Sequence, residues 1–301
     1  MNIVIFGAGA IGSLFGALLT KNNRVVLIGR SAHIKTIQRK GLTITGKTNC
    51  SVRLIAVESI KEIPFAIDLI LLTVKSYDTQ TACHQIQSYL NDETMVLSLQ
   101  NGLDNIETIE RYIQRKHILA GTTTQGAFFP KPGKIIHTGV GVTNLGELDG
   151  QSSQRLKNLT RMFNAAGIQT IMSTNILKEI WIKAIINSSI NPITAFFGCK
   201  NGYLLTNPLL ERIVEYVCAE STSIASTEGI LLQLKDMIQK TKEVIQNTAD
   251  NYSSMLQSVQ QGKKTEIDSI NGKIMKIGKE NKNDAVLNNL LIELISSLQP
   301  V

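Results

Sequence analysis

The chain has 301 residues, 43% hydrophobic and 18% charged, a balance that excludes intrinsic disorder and supplies apolar material for two domain cores. Its formal charge is +7, yet aromatics are only 5% and no Lys/Arg block has interleaved aromatics, so the surplus points to small anions rather than nucleic acid. Cys50, Cys83, Cys199 and Cys218 are far apart without C-x-x-C spacing and the four histidines are scattered, which excludes a zinc signature and suits free thiols in a reducing compartment.

Along the chain, short β-rich runs at Asn2–Phe6, Val25–Ile28, Leu69–Val74, Met95–Leu99 and Ile118–Gly121 read as strands. Several are apolar without alternation, as expected for a parallel sheet covered on both faces. Ile11–Leu19 and Thr79–Tyr89 between them have helical spacing, so the first half predicts a doubly wound α/β domain. Gly/Pro punctuation follows, with Lys134–Thr138 and Val140–Leu145 expected as antiparallel strands extending the sheet. A helix near 154–166 and a strand at Gln169–Met172 close this domain. Beyond Thr174 the pattern is helical, with one apolar stripe over Leu210, Ile213, Val214, Val217, Cys218, Ile224 and Ala225 and another over Ile267, Ile270, Ile274 and Ile277. The expected division is therefore 1–172, a Rossmann-type domain, and 173–301, an all-α domain. The N-terminus has no basic leader, and no apolar run approaches the ~20 residues of a membrane helix. A soluble, cytoplasmic protein with no membrane or nucleic-acid partner is expected.

Gly7-Ala8-Gly9-Ala10-Ile11-Gly12 follows the first strand and opens a helix, the context in which G-x-G-x-x-G binds a dinucleotide. The glycines permit a tight turn, close approach to a pyrophosphate and helix–strand packing, while the helix N-terminus supplies N–H groups. The second strand ends in Ile28-Gly29-Arg30-Ser31, without the acid that would accept from a ribose 2′-hydroxyl. Arg30 stands where it can meet a 2′-phosphate, so NADP(H) is favoured over NAD(H). Lys75 and Asn101 end two further strands at the carboxyl edge; a surface lysine and a plain Asn-Gly turn are the alternatives.

In Trp181–Pro192, Lys183, Asn187 and Asn191 recur every four residues among isoleucines, along one face of a helix. Burying such groups unpaired costs on the order of 1–3 kcal/mol each, and Pro192 removes the usual intrahelical donor to the Ser188 carbonyl. A polar cavity satisfies both facts; a snorkelling lysine with locally bonded asparagines is the alternative. Glu266 borders the second isoleucine stripe, reaching that cavity or serving as a helix-start acid.

Taken together, the glycine motif, Val74-Lys75, Gln100-Asn101-Gly102, Gly121-Thr-Thr-Thr, Asn187-x-x-x-Asn191-Pro192, Asn201-Gly202, Ser253-Ser254-Met255 and Thr265-Glu266-Ile267-Asp268-x-Ile270-Asn271-Gly272 resemble the ketopantoate reductase family, in the right order and over nearly the whole chain. The resemblance implies a Rossmann-type domain followed by an all-helical one, a site in the cleft between them, and NADPH-dependent reduction of 2-dehydropantoate to (R)-pantoate. It also implies Lys183 as proton donor, Glu266 near the nicotinamide ribose and Lys183, Asn187, Asn191, Asn201 and Ser254 as substrate contacts, Asn101 touching both cofactor and substrate, and Ala127 at a cofactor contact. A family-typical proline at the start of the last helix is absent, where the chain reads Asp284-Ala285-Val286-Leu287. Reduction of another small 2-oxo acid, or a non-enzymatic NADP(H) sensor, are the competing readings. A homodimer through the helical domain is compatible with all of them.

Overall fold

The computed structural model describes residues 1–298. Its first half alternates β1 (Asn2–Phe6), α1 (Ala10–Leu19), β2 (Arg24–Ile28), α2 (Ser31–Lys40), β3 (Leu42–Gly46), β4 (Cys50–Val52), β5 (Ile55–Val57), β6 (Leu69–Leu72), α3 (Thr79–Ile86), β7 (Met95–Ser98), α4 (Asn105–Glu110) and β8 (Ile118–Thr123). Then come β9 (Gly126–Lys131), β10 (Lys134–Gly139), β11 (Thr143–Glu147), α5 (Gln154–Ala165) and β12 (Thr170–Met172). Eight strands form one sheet in the order β12-β11-β8-β7-β6-β1-β2-β5. From β8 to β5 all pairings are parallel. Strand order reverses at β1, which pairs with β2 on one side and β6 on the other, so the loop after β1 opens at the topological switch point where such sheets bind ligands.

The apolar runs read as buried strands are buried: Ile3, Ile5, Leu27, Leu69, Leu71 and Leu97 share one core with Leu14 and Phe15 of α1 and Phe163 of α5. The expectation that both late runs extend this sheet needs correction. Only the second does, as β11 antiparallel to β8. Lys134–Thr138 lies in β10 of a separate four-stranded sheet, β4-β3-β10-β9, parallel to β3 and antiparallel to β9. The β3–β10 pairing joins segments about ninety residues apart, which no local pattern encodes. Val140 is in no strand and is exposed, between Gly139 and Gly141; a side chain at Gly141 would meet the Thr124 backbone.

No strand follows Met172 among the described residues. The helices are α6 (Ile176–Phe197), α7 (Tyr203–Thr206), α8 (Pro208–Thr227), α9 (Leu234–Asn247), α10 (Ser254–Gln260), α11 (Lys273–Glu280) and α12 (Val286–Ser297). The α8 stripe packs with Ile185, Ile190 and Ile193 of α6 and with Ile274 and Ile277 of α11 in a second core. The Ile267–Ile277 stripe is not one α-helix, because Asp268–Gly272 forms a π-helical turn in which Gly272 N–H donates to the Ile267 carbonyl, five residues back. Two compact units result: Met1–Gln100 with Asn105–Glu179, and Asn101–Asp104 with the chain from Ile180 onward. No helix among the described residues is long and apolar enough to cross a membrane.

Candidate active site

In the first unit the glycine loop is fixed by its neighbours' backbone. Gly7 and Ala8 N–H both donate to the Ile28 carbonyl, at 3.1 and 2.8 Å, and the Thr73 hydroxyl donates to the Gly7 carbonyl at 2.8 Å. Gly7 has φ +115°, and a Cβ there would sit 2.5 Å from the Val74 nitrogen. At Gly12 a Cβ would fall 2.2 Å from the Gly7 carbonyl oxygen, so α1 packs against the loop only because that position is glycine. Gly9 differs. It is exposed, and a Cβ there meets nothing within 4 Å. No side chain caps α1, and its first turn, which includes Ala10, Ile11 and Gly12, holds no acid. An open face beside uncapped, dipole-aligned N–H groups fits the pyrophosphate of a dinucleotide.

A Cβ on Gly29 would lie 2.7 Å from that of Ala8, so glycine brings the end of β2 against the loop. Arg30 follows as the exposed N-cap residue of α2, whose first turn is also free of acids. That donor set suits a phosphate better than a ribose hydroxyl. Lys75 lies two residues beyond Thr73 and precedes a short 3₁₀ turn after β6, which ends at Leu72, before the expected Val74. Gln100 braces this edge: its Nε2 donates to the Val74 carbonyl at 3.0 Å and to the Thr79 hydroxyl at 2.7 Å. Ala127 lies on β9, opposite His137 of β10, partly buried against the first core.

His33 carries a role the sequence reading missed. Its Nδ1 accepts from Gly133 N–H at 3.0 Å, so Nε2 bears the proton and donates to Ser13 of α1, also at 3.0 Å. Burial pulls this imidazole down to about 4. A neutral histidine thus pins α1, α2 and the β9–β10 turn together.

The second unit gathers the titratable groups. Lys183, Asn187 and Asn191 lie along α6 as their spacing implies. Lys183 is held down to about 8 by burial, against which the Glu266 charge acts. Glu266 is only 6% exposed and receives a hydrogen bond from Asn101 Nδ2 at 3.5 Å. Asn101 reaches it because Asn101–Asp104, flanked in sequence by the first unit, belongs to the second. Gly102 turns the chain at φ +102°, Leu103 N–H donates to the Ser269 carbonyl, and the Ser269 hydroxyl donates to Asp104. Lys183, Glu266 and Asn101 are therefore grouped from three segments that sequence keeps far apart.

The other candidates divide. The side-chain amides of Asn187, half-buried, and Asn191, buried, make no hydrogen bond within the described residues, leaving donors and acceptors for a ligand. Asn201 is buried and gives its Nδ2 to Thr248 at 2.9 Å, while its Oδ1 is buried without a partner. Ser254 is exposed at the start of α10; its neighbour Ser253 caps that helix and donates to the Asn191 carbonyl at 3.5 Å. No hydrogen bond among the described residues ties Asn201 or Ser254 to Lys183 or Glu266.

The carbonyl orphaned by Pro192 is satisfied. Asn271 Nδ2 donates to Ser188 O at 3.2 Å and to Asn288 Oδ1 at 2.9 Å. Asn288 in turn donates to Glu220, which also accepts from Leu287 and Asn288 N–H and so caps α12 where the family-typical proline is missing. The orphaned carbonyl was readable from Pro192; its donor, about eighty residues away, was not.

The family model for Ketopantoate reductase PanE/ApbA matches residues 3–150, and the model for its C-terminal part matches residues 175–299. The chain is 41% identical to the 2-dehydropantoate 2-reductase of Pyrococcus horikoshii over 99% of its own length and 97% of the relative's. The corresponding enzyme of Archaeoglobus fulgidus is 34% identical, covering 99% of this chain and 97% of the relative. Among solved structures, a D-mandelate dehydrogenase with NADH and anilino(oxo)acetate superposes with a TM-score of 0.94 at 28% identity, covering 99% of this chain and 98% of that one. A PanE/ApbA family ketopantoate reductase from Ralstonia eutropha JMP134 gives a TM-score of 0.90 at 28% identity with the same coverages.

Proposed function

The chain belongs to the ketopantoate reductase family, and from that premise we propose that it is an NADP-dependent oxidoreductase reducing 2-dehydropantoate to (R)-pantoate, a step toward pantothenate and coenzyme A. The observation that carries this reading is the grouping of Lys183, Glu266 and Asn101, with the unpaired amides of Asn187 and Asn191 on the lysine's own helix.

When bound, the reduced nicotinamide supplies the hydride. Residues 1–172 hold the cofactor: Gly7 to Gly12 and the α1 N-terminus take the pyrophosphate, Arg30 the 2′-phosphate, and Lys75 and Ala127 supply further contacts. Residues 173–301, joined by Asn101, carry the chemistry. The Lys183 ammonium stabilises the negative charge that develops on the ketone oxygen and then donates its proton there. Burial keeps its acidity near working pH, while Glu266 keeps it protonated. Asn187, Asn191, Asn201 and Ser254 orient the substrate's carboxylate and hydroxyl, and Asn101 bridges substrate and cofactor. Glu266 also takes a ribose hydroxyl.

A second reading, reduction of a different 2-oxo acid, is favoured by the close superposition on a D-mandelate dehydrogenase, whose bound NADH contrasts with the acid-free, arginine-bearing β2 edge of this chain. Purified protein assayed with NADPH and NADH against 2-dehydropantoate, 2-oxoisovalerate and phenylglyoxylate separates the two. Highest kcat/KM for NADPH with 2-dehydropantoate is expected; a preference for either other acid overturns the first reading. We further propose a cytoplasmic protein acting on small molecules, without nucleic acid, that forms a homodimer through the helical unit, which light scattering checks.

A further inference from the structure

Lys183 and Glu266 stand on α6 and on the irregular chain leading into the π-helical turn. Each has a polar group five residues further on: Ser188, whose carbonyl Pro192 deprives of its helical donor, and Asn271, the fourth residue of the π turn. Asn271 is 0% exposed, and its Nδ2 donates to Ser188 O at 3.2 Å. A carbonyl can only accept, so the nitrogen must face it, and the second N–H goes to Asn288 Oδ1 at 2.9 Å.

Asn288 is itself fixed. It donates to Glu220 at 2.8 Å and to the Ser221 hydroxyl at 3.1 Å, and Ser221 meets the Ser188 hydroxyl at 3.2 Å. The network closes on the α6 turn between Lys183 and Asn191. Asn271 Oδ1, by contrast, is buried with no partner, a destabilising arrangement that an apolar side chain would avoid. Both donors are spent on fixed acceptors and the oxygen is left over, the signature of an amide placed for what it holds.

We propose that Asn271 is a positioning residue for the reaction, tying the α6 turn that lacks its donor because of Pro192 to the π turn and thereby setting the separation of Lys183 from Glu266. The inference rests on the proposed reductase function only for its kinetic consequence; the linkage itself is a property of the helical unit. The Glu266 charge acts to raise the Lys183 titration against burial. Loosening the tie weakens that interaction while α6 still buries the lysine, so the Lys183 titration moves down.

The test pairs Asn271→Ala with Pro192→Ala, because alanine at 192 restores the backbone donor to Ser188 O and makes Asn271 partly redundant. Full-length wild type, both single variants and the double variant are compared by kcat against pH and by NMR titration of isotope-labelled lysine, which needs no substrate. Asn271→Ala is expected to lower kcat about tenfold, with cofactor Kd unchanged, and to move the Lys183 midpoint down by about half a pH unit or more. In the Pro192→Ala background the same change is expected to cost only about threefold. An unmoved or raised midpoint, or equal losses in both backgrounds, overturns the proposal. If Asn271→Ala does not fold, the double variant decides: folded with a midpoint like that of Pro192→Ala supports it, unfolded overturns it. Wild type without turnover but with the expected lysine titrations would refute the reductase reading alone.

Discussion

The two units prepare for ligands in opposite ways. Around Gly7–Gly12 the first unit offers backbone: uncapped N–H groups, an open face at Gly9, and glycines where any side chain collides. Around Lys183 the second offers side chains: an ammonium, a carboxylate and three amides, drawn from α6, the 101–104 segment and the approach to the π turn. The packed glycines Gly7 and Gly12 tolerate no added atom, whereas side-chain sites depend on partners that tune charge. The contrast separates variants that break binding from variants that break chemistry.

The largest effect is expected at Lys183. Lys183→Ala should lower kcat by about 10³-fold while leaving NADPH affinity within about twofold, as stopped-flow and titration would record. Equal loss of both would blur the contrast. Next come the glycines. Gly12→Ala forces a Cβ against the Gly7 carbonyl and Thr73, and overpacking of that kind costs about 1–3 kcal/mol, readable as a lowered Tm together with lost cofactor binding. Gly9→Ala meets nothing in the protein itself. It should leave Tm unchanged yet weaken NADPH binding by about tenfold or more, since only a ligand occupies that space. Arg30→Ala should cost NADPH affinity about tenfold and NADH affinity almost nothing.

Two pH effects sharpen the same comparison. Lys183 must be protonated to donate, so kcat for reduction should fall as pH rises through about 8. The smallest effect belongs to His33. Its folded value of about 4 lies below its ordinary 6.5, so the unfolded chain takes up the proton first. Stability should be full above about 6.5, fall as pH drops toward about 4, and then level off. Thermal melts across that window should show a shallower slope for His33→Gln.

Legibility followed the same division. The glycine loop, the acid-free β2 end and the four-residue periodicity of Lys183, Asn187 and Asn191 are local patterns, and each sits on the expected element. What stayed hidden is pairing at a distance. The β3–β10 ladder joins two ordinary alternating runs, and nothing in either names the other. Pro192 announced an orphaned carbonyl, but only folding brings Asn271 to it, and only folding makes His33 a staple rather than a surface imidazole. Asn101 looked like a strand-end residue of the first unit; hydrogen bonding at Leu103 and Asp104 draws its segment into the second.

The central claim, that these two preparations serve one reduction, is tested most directly by product analysis. Purified protein is incubated with NADPH and 2-dehydropantoate, and the acid formed is resolved by chiral chromatography against cofactor consumed. The account predicts (R)-pantoate accumulating mole for mole with NADP. NADPH that binds tightly but is not consumed, or consumption without pantoate, would contradict it.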